Sequence, residues 1–182
     1  MSHRLADDHS ALDEVLKQLQ RALDAGDIEA SHAKLDLFWA RLAVHIRAEH
    51  LHLFPSVINA LSKTKVDQTG TPTQSVGQIS VNRLRGDHEF FMRELAQAIE
   101  ILHDLLNETD RRVVDEGTRR VHRILLAMEK RLLIHNEIEE KQIYRWATIV
   151  LDEQQQLELA MRVNAELVNR PARFDLTTWS NK

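Results

Sequence analysis

The chain has 182 residues, a formal net charge of −4 and no cysteine. Acidic and basic residues are mixed along it, so no continuous basic surface is expected for nucleic acid, and no apolar run reaches the roughly 18 residues that span a bilayer. The N-terminal stretch MSHRLADDHS has no hydrophobic signal core, and we expect a cytoplasmic protein. Without cysteine there are no disulfides or thiolate sites, so a metal bound by this chain takes imidazole and carboxylate ligands.

Composition and apolar periodicity predict an all-α protein. Only five Gly and three Pro occur, which favours helices over sheets and turns. Apolar residues recur at steps of three and four over residues 5–23, which predicts a first helix that ends at the Ala-Gly pair before Asp27. Asp27 is the expected N-cap of a second helix, which Pro55 kinks before the helix ends near Leu61.

Two further helices are predicted after a long connection. Residues 63–80 contain two of the five glycines and many Thr, Ser and Gln, which is typical of a loop. Apolar seams over residues 84–102 and 121–143 predict a third helix and a fourth that continues to about Val150, with a turn at residues 107–110 between them. Four helices with mostly short connections predict an antiparallel up-down-up-down four-helix bundle.

The bundle is expected to occupy residues 1–150, with an additional C-terminal helix after it. Residues 151–182 are predicted to form this helix and a tail, packed on the bundle or extending from it. Asp152 is the expected N-cap, and the helix is expected to run to about Val168. The predicted inner edge of the helix consists of Leu157, Met161 and Leu167.

The pattern His-x-x-x-Glu occurs twice. It is found in HIRAEHLHLFP with His45 and Glu49, and in HNEIEEKQIYR with His135 and Glu139. On a helix that turns about 100° per residue, a Glu at i+4 lies about 40° from the His. Each copy therefore puts an imidazole and a carboxylate side by side on the apolar face, where one metal ion can bridge them.

Two single histidines, His9 and His88, lie on the seams of the first and third helices. In antiparallel helices, two residues at the same height lie equally far from the turn that joins them. The midpoints between these histidines and the residues of the two motifs fall in or beside predicted connections. One layer of the bundle is therefore predicted to hold six candidate metal ligands: His9, His45, Glu49, His88, His135 and Glu139.

Six such groups in a core favour a bound cation, because each buried carboxylate or imidazole without compensation costs on the order of several kcal/mol. A buried polar network without metal is the alternative. Six ligands exceed the four of a structural zinc site and contain too much nitrogen for calcium or magnesium. Two first-row ions fit better, and imidazole ligands suit iron.

Two more histidines follow Glu49. His52 lies about 20° from His45 on the site face, and three roles stay open for it: an extra imidazole ligand, a donor that holds Glu49, or a core residue. His50 lies about 100° from Glu49 and is predicted to be on the surface.

The stretches DDHSAL, HIRAEHLHLFP, GDHEFF and HNEIEEKQIY together resemble the hemerythrin-like domain of the HHE cation-binding family, over about residues 5–150. The resemblance implies a four-helix bundle with a non-haem centre of two iron ions, for which an oxo or hydroxo bridge is one option. It implies that Glu49 and Glu139 bridge the ions. The terminal ligands that it implies are His9, His45, His88 and His135. Ferritin-like di-iron proteins use Glu-x-x-His, which has the opposite order.

The predicted function is to bind or sense a small ligand, namely oxygen, nitric oxide or peroxide, at the two irons. Oxygen-carrying hemerythrins have a second His one turn after the third-helix ligand, where this chain has Met92, so oxygen carriage of that kind is not expected. One alternative is a di-iron oxidase or peroxidase with Tyr144, Glu140 or His52 as acid or base, although Tyr144 is first expected to be a core aromatic matching Phe54. Another is an iron-dependent interaction module, which leaves a protein partner or a homo-oligomer open.

Overall fold

The computed structural model describes residues 2–63 and 72–169. Within these ranges all regular structure is helical, which confirms the predicted all-α class. The middle of the predicted connection, residues 64–71, and the tail from Arg170 onward lie outside the described residues. In the described part of the chain, no helix combines the length and the apolar character that crossing a membrane requires.

Five continuous helices make up the described chain. α1 spans Ser2–Asp24, α3 spans Gln74–Leu105, and α5 spans Glu153–Val168. α2 covers residues 28–63 and consists of Ile28–Ala48, the π-helical turn Glu49–Leu53 and Phe54–Lys63. α4 covers residues 111–150 and consists of Arg111–Ile138, the π-helical turn Glu139–Ile143 and Tyr144–Val150.

Three of the helices have an aspartate as N-cap, and the sequence predicts two of these N-caps. The side chains of Asp27, Asp110 and Asp152 accept hydrogen bonds from backbone N–H groups in the first turns of α2, α4 and α5. Asp152 forms a capping box with Gln155, whose side chain accepts from the Asp152 backbone N–H. These caps satisfy N–H groups that have no partner inside the helix, and so set where the helices begin.

The predicted connection over residues 63–80 is wrong at its C-terminal end, because α3 already begins at Gln74. Thr73 caps α3 by accepting a backbone N–H of the first turn. Gly77, which indicated a loop in the sequence, lies inside the helix and faces Leu61 of α2. A Cβ at Gly77 would come within 2.5 Å of Leu61 Cδ1. The glycine therefore allows two helices to approach closely and does not form a turn.

Neighbouring helices pack in the order α1 with α2, α2 with α3, and α3 with α4, while the seam between α4 and α1 is the loosest. Between α1 and α2, and between α3 and α4, later residues of the first helix contact earlier residues of the second helix. Examples are Asp8 with Arg41 and Gln18 with Lys34 between α1 and α2, and Ser80 with Gln142 and Asp87 with Arg131 between α3 and α4.

Two apolar clusters enclose a buried polar layer. One cluster is formed by residues 12–23 of α1, 35–46 of α2, 91–105 of α3 and 121–132 of α4. The other contains Leu5, the second half of α2, the start of α3, the end of α4 and the inner face of α5. The polar layer between them contains the predicted metal ligands.

α5 packs on α2 through Leu159, Val163 and Leu167. The predicted inner edge is right only at Leu167, because Leu157 and Met161 are 63% and 66% exposed. Apolar residues two positions apart on a helix differ by about 200°, so α5 has two apolar stripes on nearly opposite faces. Periodicity finds both stripes, and only the contact with α2 decides which is buried.

Candidate metal centre

Both His-x-x-x-Glu motifs run into a π-helical turn that begins at the Glu. The backbone N–H of Phe54 donates to the carbonyl of Glu49, and the backbone N–H of Tyr144 donates to the carbonyl of Glu139. A hydrogen bond across five residues brings the aromatic residue back toward the face of the Glu and changes the direction of the residues between. A regular helical period cannot predict these turns, which alter the set of side chains at the centre.

The structure brings the six predicted ligands together in the polar layer, where all six are buried. They form two groups in which one ligand atom per residue lies within 4.8 Å of the others. The first group is His9, His45 and Glu139, and the second is Glu49, His88, His135 and Glu139. We call the side with His9 and His45 the His9 half, and the side with His88 and His135 the His88 half.

Each glutamate extends one carboxylate oxygen into each half. Glu139 Oε2 lies 3.2 Å from His9 Nε2, whereas Glu139 Oε1 lies 3.0 Å from His135 Nε2. Glu49 Oε1 lies 3.4 Å from His45 Nε2, and Glu49 Oε2 lies 3.3 Å from His88 Nε2. Carboxylates that extend from one pair of imidazoles to another can bridge two neighbouring metal ions.

The spacing of the inward-facing atoms fits the coordination shell of a metal. The Nε2 atoms of His9 and His45 are 3.2 Å apart, and those of His88 and His135 are 3.0 Å apart. Ligands about 2.1 Å from one ion lie about 3.0 Å apart at a right angle and about 3.4 Å apart at a tetrahedral angle. The imidazole pairs fall within this range, as do the contacts between imidazoles and carboxylates given above.

An aspartate holds the outward nitrogen of each motif histidine. His45 Nδ1 donates to Asp8 at 3.0 Å, and the Arg41 guanidinium donates to the other oxygen of Asp8 at 2.8 Å. The equivalent contacts in the His88 half are His135 to Asp87 at 3.3 Å and Arg131 to Asp87 at 2.6 Å. A carboxylate that accepts from Nδ1 selects the neutral tautomer in which Nε2 presents a lone pair to the centre.

His9 and His88, the histidines outside the two motifs, are each contacted by the residue that follows a motif glutamate. His9 Nδ1 donates to Glu140 Oε1 at 3.0 Å, and His88 Nδ1 lies 2.9 Å from His50 Nε2. The prediction that His50 is a surface residue is wrong, because the π-helical turn directs this half-buried side chain toward His88. With a lone pair on His88 Nε2, its Nδ1–H donates to His50, so the His50 ring is neutral.

Sequence reasoning did not find Asp8, Asp87 or the contact made by Glu140. Each of these residues is adjacent in sequence to a predicted ligand, and that adjacency is the signal that could find them. The motifs DDH and GDH each contain one predicted ligand and an aspartate that holds a predicted ligand on the neighbouring helix.

His52 lies outside the cluster. Its Nε2 is 3.8 Å from a carboxylate oxygen of Glu166 on α5, which also pairs with Arg47. The π-helical turn that directs His50 inward also directs His52 toward α5. Its position therefore supports neither a ligand role nor a role as donor to Glu49.

Two carboxylate oxygens at the centre accept no hydrogen bond. Within the described residues, Glu49 Oε2 and Glu139 Oε1 are the buried side-chain oxygens without a hydrogen-bond partner. Both face the His88 half, at 3.3 Å and 3.0 Å from imidazole nitrogens. A buried anionic oxygen opposite a nitrogen lone pair is unfavourable unless a cation lies between them. The donor atoms therefore fit a bound metal ion.

Protons compensate the carboxylates when no metal is bound. Burial lowers the pKa of His45, but the charge of Glu49 and the hydrogen bonds to Asp8 and Glu49 outweigh burial and raise this pKa to about 10. Burial also lowers the pKa of His135, but the charge of Glu139 and the hydrogen bond to Asp87 outweigh it and raise this pKa to about 9. Metal binding at neutral pH therefore displaces protons from these two rings.

The hydroxyl of Tyr144 also lies at the centre. It is 3.3 Å from Glu49 Oε1 and 3.4 Å from both Glu139 Oε2 and His9 Nε2. Burial and the two carboxylates raise the pKa of Tyr144 well above its usual value. In the His88 half the equivalent residue is Phe54. Its ring stacks on the ring of His88, with centroids 6.0 Å apart.

A small cavity lies beside the centre. Its volume is about 10 Å³ and its wall includes three of the four histidines. One water molecule needs roughly 10–15 Å³. A surface cleft of about 380 Å³ between α1 and α4 shares Asp13, Leu132 and Asn136 with this cavity. The cleft therefore lies next to the cavity on its solvent side.

Comparisons with protein-family models, curated proteins and solved structures find no match to this chain. The functional assignment therefore depends on the arrangement of the buried side chains. That arrangement identifies a buried cluster of histidines and glutamates that can hold a metal ion.

Proposed function

We propose that this chain is a hemerythrin-like protein that holds two iron ions, one in the His9 half and one in the His88 half, and binds a small ligand there. The observation that carries the proposal is that Glu49 and Glu139 each have one oxygen in each half. Four imidazoles and two bridging carboxylates leave two first-row ions short of six ligands each. Iron would supply affinity for oxygen, nitric oxide or peroxide, while the protein supplies the ligands and their tautomers.

The proposed architecture is an antiparallel up-down-up-down bundle of α1 to α4, with α5 appended. The reversed order of contacts between α1 and α2, and between α3 and α4, supports it. So do the contacts of His9 with Glu140 and Gln20 with Glu129 across the fourth seam. This topology delivers ligands from four helices to the same height.

The cavity beside the centre supports a small and uncharged ligand. Its volume admits about one molecule of the size of water, which suits a diatomic gas better than an organic substrate. Leu12, Phe38 and Leu42 form part of its wall, and such apolar surface does not compensate a charged ligand. The proposed ligands are therefore oxygen or nitric oxide before peroxide.

Anaerobic loading with ferrous iron, followed by addition of oxygen or nitric oxide, tests the ligand-binding function. We expect a new visible charge-transfer band that disappears when the gas is removed under vacuum. Loss of ligand binding after Leu42→Trp, which fills the cavity, with iron content unchanged, would place the ligand in the cavity. An iron-loaded protein whose spectrum does not respond to either gas would contradict the proposal.

A di-iron oxidase or peroxidase is the second candidate, and Asp13 favours it. This carboxylate lines both the cavity and the cleft. Partial loss of hydration raises its pKa, which shifts this carboxyl toward the protonated form that a general acid needs. Catalytic loss of peroxide that falls at least about 100-fold in Asp13→Asn would support the enzyme, whereas equal turnover in both proteins would exclude this role of Asp13.

A further inference from the structure

The oxygen of Tyr144 completes a shell of five donor atoms in the His9 half. The other four are His9 Nε2, His45 Nε2, Glu49 Oε1 and Glu139 Oε2. The Tyr144 oxygen lies 3.3–3.4 Å from three of these atoms. Since ligands of one ion lie about 3.0–3.4 Å apart, the phenol oxygen has the spacing of a further ligand in the same shell.

The two halves are otherwise closely equivalent. Each contains two imidazoles, one of them held by an aspartate, and one oxygen from each glutamate. The equivalent of Tyr144 in the His88 half is Phe54, which follows its Glu by the same five-residue π-helical turn and has no donor atom. Among the described residues, the His9 half therefore has five donor atoms and the His88 half has four.

The Tyr144 hydroxyl is surrounded by the donor atoms of the His9 half. In the described part of the chain its hydrogen-bond partners are His9, Glu49 and Glu139. All three atoms that it contacts face the proposed ion, and His9 Nε2 has a single lone pair, which the ion would occupy. The ring of Tyr144 is fixed in the apolar cluster around it, and the oxygen cannot turn away to water.

We propose that Tyr144 is the fifth protein ligand of the ion in the His9 half, which it binds through its phenolate oxygen. The proposal rests on the proposed two-iron centre. The bond between the phenol oxygen and the ion forms as the O–H bond breaks, and the proton passes to solvent. The positive charge of a bound ion favours the ionised form of the phenol, as it does for other acidic ligands. The two ions are consequently inequivalent.

The iron(III) form of the protein offers a direct test, because the chain contains a single tyrosine. A phenolate bound to iron(III) gives a visible charge-transfer band, and excitation into that band enhances the phenolate ring vibrations in the resonance Raman spectrum. We expect both signals in the wild-type protein and neither in Tyr144→Phe. Both proteins should contain two irons, because Phe54 already occupies the equivalent position in the other half.

Phe54→Leu is the matched control, since it alters the equivalent aromatic residue without touching a donor atom. The band and the Raman signals should persist in it. Two irons without phenolate signals in the wild-type protein would overturn the inference, and so would signals that survive in Tyr144→Phe. If Tyr144→Phe does not fold, the wild-type Raman spectrum alone decides. A wild-type protein that takes up no iron contradicts the proposed function instead.

Discussion

Each of the four imidazoles of the centre has one hydrogen-bond partner at its Nδ1 atom. The partners are Asp8, Asp87, Glu140 and His50. Three of these residues are carboxylates, and the fourth is a neutral ring. A partner at this position orients the imidazole and raises its basicity, and its loss typically lowers metal affinity by about 10- to 100-fold. Metal binding at the proposed centre should therefore depend on residues that are not themselves proposed ligands.

Glu140→Gln should lower the affinity for one of the two ions by about tenfold. The effect belongs at the lower end of the range because the Glu140 side chain is 47% exposed, and water screens its charge. Glu137→Gln is the matched control, since Glu137 is exposed on the same helix and pairs with Lys141 away from the centre. A competition titration against a chelator measures both variants. Equal affinities for the two variants would refute this role of Glu140.

At the scale of helices, apolar periodicity predicts most of what the structure contains. The seams over residues 5–23, 84–102 and 121–143 are buried, and the six predicted ligands lie on the buried faces. Periodicity could not reveal the π-helical turns, because they change the period itself. The sequence therefore predicts His50 on the surface, although it contacts His88. It also predicts Tyr144 first as a core aromatic, although its hydroxyl lies at the centre. Periodicity also could not choose between the two apolar stripes of α5, because that choice depends on contacts with another helix.

The glycines of α3 provide a prediction at this scale. A Cβ at Gly86 would have no neighbour within 4 Å, so Gly86→Ala should stabilise the helix by about 0.5–1 kcal/mol through helix propensity alone. Gly77→Ala brings the same gain in propensity but forces Leu61 to move. Thermal unfolding should give a higher Tm for Gly86→Ala than for Gly77→Ala. Equal Tm values would show that the contact between α2 and α3 is not tight at Gly77.

The molecule as a whole encloses a charged layer between two apolar clusters. Such a layer is stable only when positive charge neutralises Glu49 and Glu139, and the two available sources are metal ions and protons on histidine. The sequence predicts which residues form the layer, since register places them at one height. It does not predict the aspartates and arginines around them, whose partners lie on other helices.

The stability of the metal-free protein should fall as pH rises above neutrality. The pKa values of His45 and His135 rise on folding from 6.5 to about 10 and about 9, so the folded state holds more protons than the unfolded state over this interval. Their contribution is complete below pH 6.5 and disappears as pH rises through about 9 and then about 10. Urea unfolding at pH 6 to 10 with a chelator present measures it.

The iron-loaded protein is the control for this pH series. Metal binding releases the same protons, so a higher pH favours the bound state and the loaded protein should not lose stability over this interval. A metal-free protein whose unfolding free energy stays constant or increases between pH 6.5 and 10 would contradict the protonated state assigned to the two histidines.

The number of iron ions per chain after anaerobic loading and removal of loose metal tests the two-iron centre most directly. We predict two ions in the wild-type protein and almost none in a variant that carries both His135→Ala and Glu139→Ala. His122→Ala should keep both ions, since that imidazole is partly exposed and lies 3.5 Å from Asp24, away from the centre. Full retention of iron in the double variant, or no iron in the wild-type protein, would contradict the account.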